Sequence, residues 1–164
     1  MAINLTSGTL QTINTDGVDQ LLIPANYKFP SWPAFHAYRD AGHVSPGSTQ
    51  VIFNGTQLNN GGHYNTSTGY FTAPMSGNYW FHVWTMDTNS ARYVNDWYRI
   101  QVNNSSTNEL RVYTSNNVSA RSHRSGGWIR RLNTGDTVRV LNYNANIYGT
   151  SRVYCYFVGC LLST

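Results

Sequence analysis

Between Asn59 and Phe81 the chain reverses direction repeatedly around short apolar runs, and few folds accept that arrangement. Asn60, Gly61 and Gly62 form one turn cluster and Ser67, Thr68 and Gly69 another, all residue types that tolerate tight backbone reversal. Pro74 and Gly77 add a corner just before the aromatic run from Tyr79 to Trp84. Turns packed this closely leave room for short antiparallel strands and none for a helix.

The same rhythm continues along the chain. Strands are predicted at Ala34 to Arg39, Gln50 to Asn54, Tyr70 to Thr72, Asn78 to Thr88 and Trp97 to Asn103. Others follow at Glu109 to Ser115, Gly127 to Leu132, Asp136 to Tyr143 and Val153 to Leu162, separated by Gly, Asn and Ser. Regular short strands of this kind predict a sandwich or barrel. Charged residues make up 11% of the chain and aromatics 14%, a balance that suits β-structure with one full-sized core.

The turn-rich segment resembles the signature of the C1q-like head family. The matching positions are Gly61, Gly62, Tyr64, Thr68, Gly69, Phe71, Ala73, Pro74, Gly77, Tyr79 and Phe81. The resemblance extends to Pro33–Phe35, Val51–Asn54, Ser125–Leu132, the Gly135–Asp136–Val138 turn and Phe157–Leu162, where Cys160 replaces a common aromatic. It implies an all-β, two-sheet antiparallel jelly roll of the C1q and tumour-necrosis-factor type, assembled as a homotrimer. No Gly-X-Y repeat precedes the domain, which argues against a complement-type role through a collagen stalk.

Residues 1–31 are rich in Thr, Asn and Asp and end among Pro24, Pro30 and Pro33. They read as an N-terminal arm with a strand or two, either docking on a larger assembly or packing along the head at 32–164. Met1 to Pro24 has neither the charged start nor the apolar run of a secretory signal, and no stretch approaches the ~20 apolar residues of a membrane span. Membrane insertion is not expected. Six Asn-x-Ser/Thr triplets occur, but without a signal they read as composition rather than glycosylation sites. Cys155 and Cys160 are five residues apart, so one flat strand puts them on opposite faces, too far apart to bridge.

In the strand from Tyr79 to Thr85, Tyr79, Phe81 and Val83 share one face and Trp80, His82 and Trp84 the other. A half-exposed strand alternates apolar with polar, whereas here both faces carry large rings. One set fills a core and the other needs a second cover. Tyr154 and Tyr156 repeat the pattern in the last strand. These residues (Trp80, His82, Trp84, Tyr154 and Tyr156) are the expected trimer interface, with cover by the N-terminal arm as the alternative.

No catalytic constellation is expected. The five histidines fall at irregular spacings without a metal motif, although a threefold axis would gather three copies of His82. The acids form no working pair outside the arm, and Asp136 reads as a turn residue. Some C1q-like heads bind calcium through loop carboxylates; no acid here matches them, so no cofactor is expected. A binding surface is expected at Arg111, Arg121, Arg124, Arg130, Arg131 and Arg139 with Trp128, since guanidinium forks take carboxylate, sulfate or phosphate. Tyr113 and Tyr143 offer rings for sugars; the plain alternative is a solvated strand face. Loops from Asp87 to Asp96 and from Asn103 to Asn108 are further contact regions. The formal net charge of +4 is modest and no nucleic-acid module is present, so nucleic acid is not an expected partner.

The function expected is a non-enzymatic trimeric head on a virion surface, at a fibre tip or as capsid decoration. Its arm would hold a larger viral assembly and its head would meet a host glycan or protein. A cellular extracellular recognition protein released by a non-classical route is the alternative. An envelope-polysaccharide hydrolase is a third reading without a placed acid or base.

Overall fold

The computed structural model describes residues 12–15, 18–21, 32–45, 47, 49–88, 97–113 and 123–164. The chain divides into two units, Met1–Pro30 and Ser31–Thr164. In the first, β1 (Thr12–Thr15) and β2 (Val18–Leu21) pair as an antiparallel hairpin. The rest of the expected arm lies outside the described residues, as do Arg121 and the loop 89–96.

The second unit contains β3 (Ala34–Tyr38), β4 (Thr49–Gln50), β5 (Gly55–Asn60), β6 (Tyr64–Asn65), β7 (Tyr70–Thr72) and β8 (Gly77–Met86). Next come β9 (Trp97–Val102), β10 (Glu109–Tyr113), β11 (His123–Leu132), β12 (Thr137–Tyr143) and β13 (Tyr156–Ser163). One sheet runs β11-β8-β13-β3-β5; the other runs β10-β9-β12-β7-β6, with β4 also paired to β12. All these pairings are antiparallel. The described residues form no helix, and the two-sheet jelly roll expected from the sequence is what the chain adopts.

The inward rows of the two sheets meet in an aromatic core. Phe35 stacks on Tyr64 at 4.9 Å and Phe71 at 5.1 Å, reaching from one sheet to the other. Phe157 meets Phe35 edge-on at 5.0 Å, and Phe71 meets Phe81 at 5.6 Å. Tyr79, Phe81 and Val83 are fully buried, so the β8 alternation holds as read from the sequence.

Two turns carry the chain between sheets. Gly61 and Gly62 both have positive φ (77° and 72°), which glycine adopts without a Cβ penalty. They take the chain from β5 in one sheet to β6 in the other, and the Asn59 side chain clamps the reversal by bonding both N–H and C=O of Tyr64. The Pro74 corner returns the chain from β7 to β8.

Three strand expectations shift. Of the predicted Gln50–Asn54 strand only Gln50 falls in a strand, β4, because β4 belongs to one sheet and β5 to the other. Residues 51–54 are the crossing, with Val51 and Phe53 fully buried. β5 is not legible in the sequence, because Gly-Thr-Gln-Leu-Asn-Asn carries almost no apolar pattern. The final strand starts at Tyr156 rather than Val153, since 152–154 form a turn closed by Tyr154 N–H to Ser151 C=O at 3.2 Å.

Candidate functional site

Both sheets present an organised outward face. On the five-stranded sheet, β8 contributes Trp80, His82 and Trp84, flanked in register by Cys160, Val158 and Tyr156 of β13. On the other side of β8, Ile129, Gly127 and Ser125 of β11 occupy the same rows. His36 of β3 completes the His82–Val158 row. Rings tile the surface: Trp80 stacks on His82 at 5.8 Å, Trp84 on Tyr156 at 6.0 Å, and His123 lies 5.0 Å from Trp84. Trp80 remains 36% exposed and Ile129 62%, a large apolar surface for a soluble sheet face. Partial burial lowers the His82 pKa from its ordinary value, because the charged imidazolium loses hydration there.

On the six-stranded sheet, Tyr113, Trp97 and Tyr143 form one row across β10, β9 and β12. Trp97 stacks on Tyr143 at 4.7 Å and lies 6.2 Å from Tyr113. The next row holds Arg111 and Arg99, whose guanidinium carbons sit 4.9 and 5.0 Å from the Trp97 ring. Glu109 pairs with both, at 2.7 Å for Arg99. Hydrogen bonds donated to Tyr113 and then to Glu109 raise the Arg111 pKa, keeping its guanidinium charged. Arg139 donates to Gln101 Oε1 at 2.8 and 3.0 Å and to the Tyr70 hydroxyl at 2.9 Å. These are neutral acceptors, and none of the described carboxylates is within ion-pair distance of it.

The arginines expected to share one surface do not. Arg124 is buried and its guanidinium is 2.5 Å from the Asp87 carboxylate, so both belong to the interior. Arg130 and Arg131 are successive residues of β11 and so point to opposite sides of that strand. Trp128 is partly buried against the core with the Arg130 guanidinium over its ring at 5.6 Å, not free for a ligand. Arg111 and Arg139 lie on the other sheet altogether. Tyr154 packs edge-on against Tyr148 at 5.1 Å in the turn before β13, outside the rows that carry Trp80, His82, Trp84 and Tyr156.

Of the two expected contact loops, Asn103–Asn108 is a braced hairpin turn. Asn103 and Asn104 have positive φ (50° and 58°), and the Asn103 side chain bonds Asp136 and Thr137. The sequence alone does not single out Trp97, Arg99 and Glu109 as site residues, although Trp97 and Arg99 alternate with buried Tyr98 and Ile100 in the strand predicted at Trp97 to Asn103.

Each carboxylate whose side chain is described has a structural partner. Asp40 accepts from Asn54, Asp87 from Arg124, Glu109 from Arg99 and Arg111, and Asp136 from the Asn133 N–H in its turn. Among the described residues, no group of three or more His, Cys, Asp or Glu is placed to hold a metal. Cys155 and Cys160 are both free thiols; burial raises the Cys155 pKa to about 11.

The family model of the C1q domain matches residues 34–162. The globular domain of zebrafish complement 1qA is similar at 22% identity and a TM-score of 0.65, over 80% of this chain and 98% of that one. Eiger TNF from S. frugiperda is similar at 12% identity and a TM-score of 0.65, over 80% and 92%. Murine APRIL at pH 5.0 gives 15% identity and a TM-score of 0.64, over 80% and 100%. No curated protein sequence matches the chain.

Proposed function

Since the chain belongs to the C1q domain family, we propose that it acts as a homotrimeric, non-enzymatic binding head. The observation that carries this reading is the outward face of the five-stranded sheet. Trp80, Ile129 and the tiled rings around His82 form a continuous apolar surface on a strand whose other side already fills the core. Burial of such a surface is worth about 25 cal/mol per Å² of apolar area. A threefold ring lets each copy both cover and be covered, and it closes without leaving an open face. Three copies of any weak site on the head then act together, so attachment gains strength through avidity.

The setting we propose is a virion surface, where the head attaches to a host or reinforces the particle. The division of the chain into Met1–Pro30 and Ser31–Thr164 supports a head joined to a separate docking segment. Mass spectrometry and antibody labelling of purified particles test the setting; absence from particles would leave only an extracellular recognition protein.

Solution mass by light scattering tests the assembly. The expected value is about 55 kDa, three copies of an 18.5 kDa chain, and Trp80→Arg is expected to return the monomer. A wild-type monomer would remove the trimeric reading.

A further inference from the structure

We propose that the outward face of β9, β10 and β12 binds an anionic saccharide, one carrying sulfate or carboxylate groups. The inference rests on the binding-head reading but not on the trimer, because each copy of the head carries the whole surface. Three rings in one cross-strand row, Tyr113–Trp97–Tyr143, span about 10 Å at the usual strand spacing. Tyr113 is 58% exposed and Tyr143 38%, so the row reaches solvent with apolar ring surface and two phenolic hydroxyls.

Charge selects the ligand class. Among the described residues, Arg99, Arg111 and Arg139 share this face with a single carboxylate, Glu109, which pairs with the first two. The surplus is positive. Arg111 is also more exposed than Arg99, so its five-donor fork has N–H groups left for a further acceptor after Glu109 and Tyr113. A neutral sugar would leave that charge unanswered; a sulfated or carboxylated one meets guanidinium and ring together.

A saccharide fits better than a nucleic acid for a geometric reason. Base recognition on aromatic platforms needs open ring faces. The Trp97 ring is already occupied by Tyr143 and by the two guanidiniums, so the row offers no run of open rings for successive bases. Hydroxyl-rich chains with anionic substituents match that surface.

The test is titration calorimetry on the full chain with four probes: a heparin-derived sulfated oligosaccharide, an oligogalacturonate, a neutral dextran oligosaccharide and oligo-dT. Binding of the sulfated or the carboxylated probe, and not of dextran, is expected, and those two arms identify the anion. Arg111→Gln with Tyr113→Ala is expected to weaken it at least tenfold. Arg130→Gln with Arg152→Gln, which removes more charge elsewhere, is expected to change it less than twofold. Arg111→Gln alone serves if the first pair fails to fold. Equal losses in both pairs would mean general charge attraction and overturn the site. Binding of oligo-dT alone, or of no probe, would overturn the ligand class. Light scattering on the same samples separates the two readings: a trimer that binds nothing overturns this inference only, and a monomer that binds overturns the trimer only.

Discussion

Asp87 and Arg124 form an ion pair at 2.5 Å with both side chains only 2% exposed, joining the end of β8 to the start of β11 inside the sandwich. Two charges held this far from water depend on each other. Asp87→Leu is expected to cost about 3–5 kcal/mol in urea unfolding, because it takes a carboxylate partner away from a buried guanidinium. Asp87→Leu combined with Arg124→Met is expected to recover most of that loss, since an apolar pair needs no partner. A single variant as stable as wild type would show that the charge is satisfied elsewhere.

This pair also shows where the sequence stopped being informative. Asp87 stood at the mouth of a polar loop and Arg124 in a run of arginines, so both read as surface residues. Alternation along a strand tells which residues share a side, and it placed Trp80, His82 and Trp84 together correctly. It does not tell which strand is its neighbour. Arg111 and Arg130 fell in one imagined patch because sheet membership depends on long-range pairing: β10 joins β9, while β11 joins β8. Trp97 is illegible for the same reason, since its importance comes from Tyr113 and Tyr143 on the two flanking strands.

Gly159 sits where β13 passes the core rings. A Cβ there would lie 2.6 Å from the Phe35 ring and 2.7 Å from the Phe81 ring, closer than packed carbons come. Both rings are wedged among other aromatics and have little room to move. Gly159→Ala is expected to destabilise the head by about 1–3 kcal/mol through overpacking, read as a lowered urea midpoint. An unchanged midpoint would mean that the aromatic core is looser than its contacts indicate.

Tyr64 contributes a ring to the core and a hydroxyl to the sheet-switching segment. Its hydroxyl accepts the Phe53 N–H at 3.3 Å in a buried position, and burial drives its pKa upward. Tyr64→Phe keeps the ring stack with Phe35 but leaves that N–H without its acceptor. A loss of about 1–3 kcal/mol is expected, the cost of an unsatisfied buried donor. Slowed or unchanged amide exchange at Phe53 in the variant would contradict the role given to the hydroxyl.

The partial burial of His82 predicts that the apolar face is sensitive to acid. Burial lowers its folded-state pKa below the ordinary value of about 6.5. Between those two values the unfolded chain holds more protons than the folded one, so stability rises with pH through the window. The benefit is complete above about pH 6.5 and declines as pH falls towards the folded value. The titratable and charged groups that share this face on the surrounding strands are Tyr156 and Cys160 of β13, His36 and Tyr38 of β3, and His123 and Arg131 of β11. None of them is a carboxylate that would hold the imidazolium in place. Covering this face in a trimer would remove more water from His82 and steepen the same dependence. Unfolding free energy and solution mass are therefore both expected to fall between pH 7.5 and 5.5, and His82→Gln is expected to flatten part of each curve. If His82→Gln leaves both slopes unchanged, the acid sensitivity belongs to another group and His82 is a passive member of the ring surface.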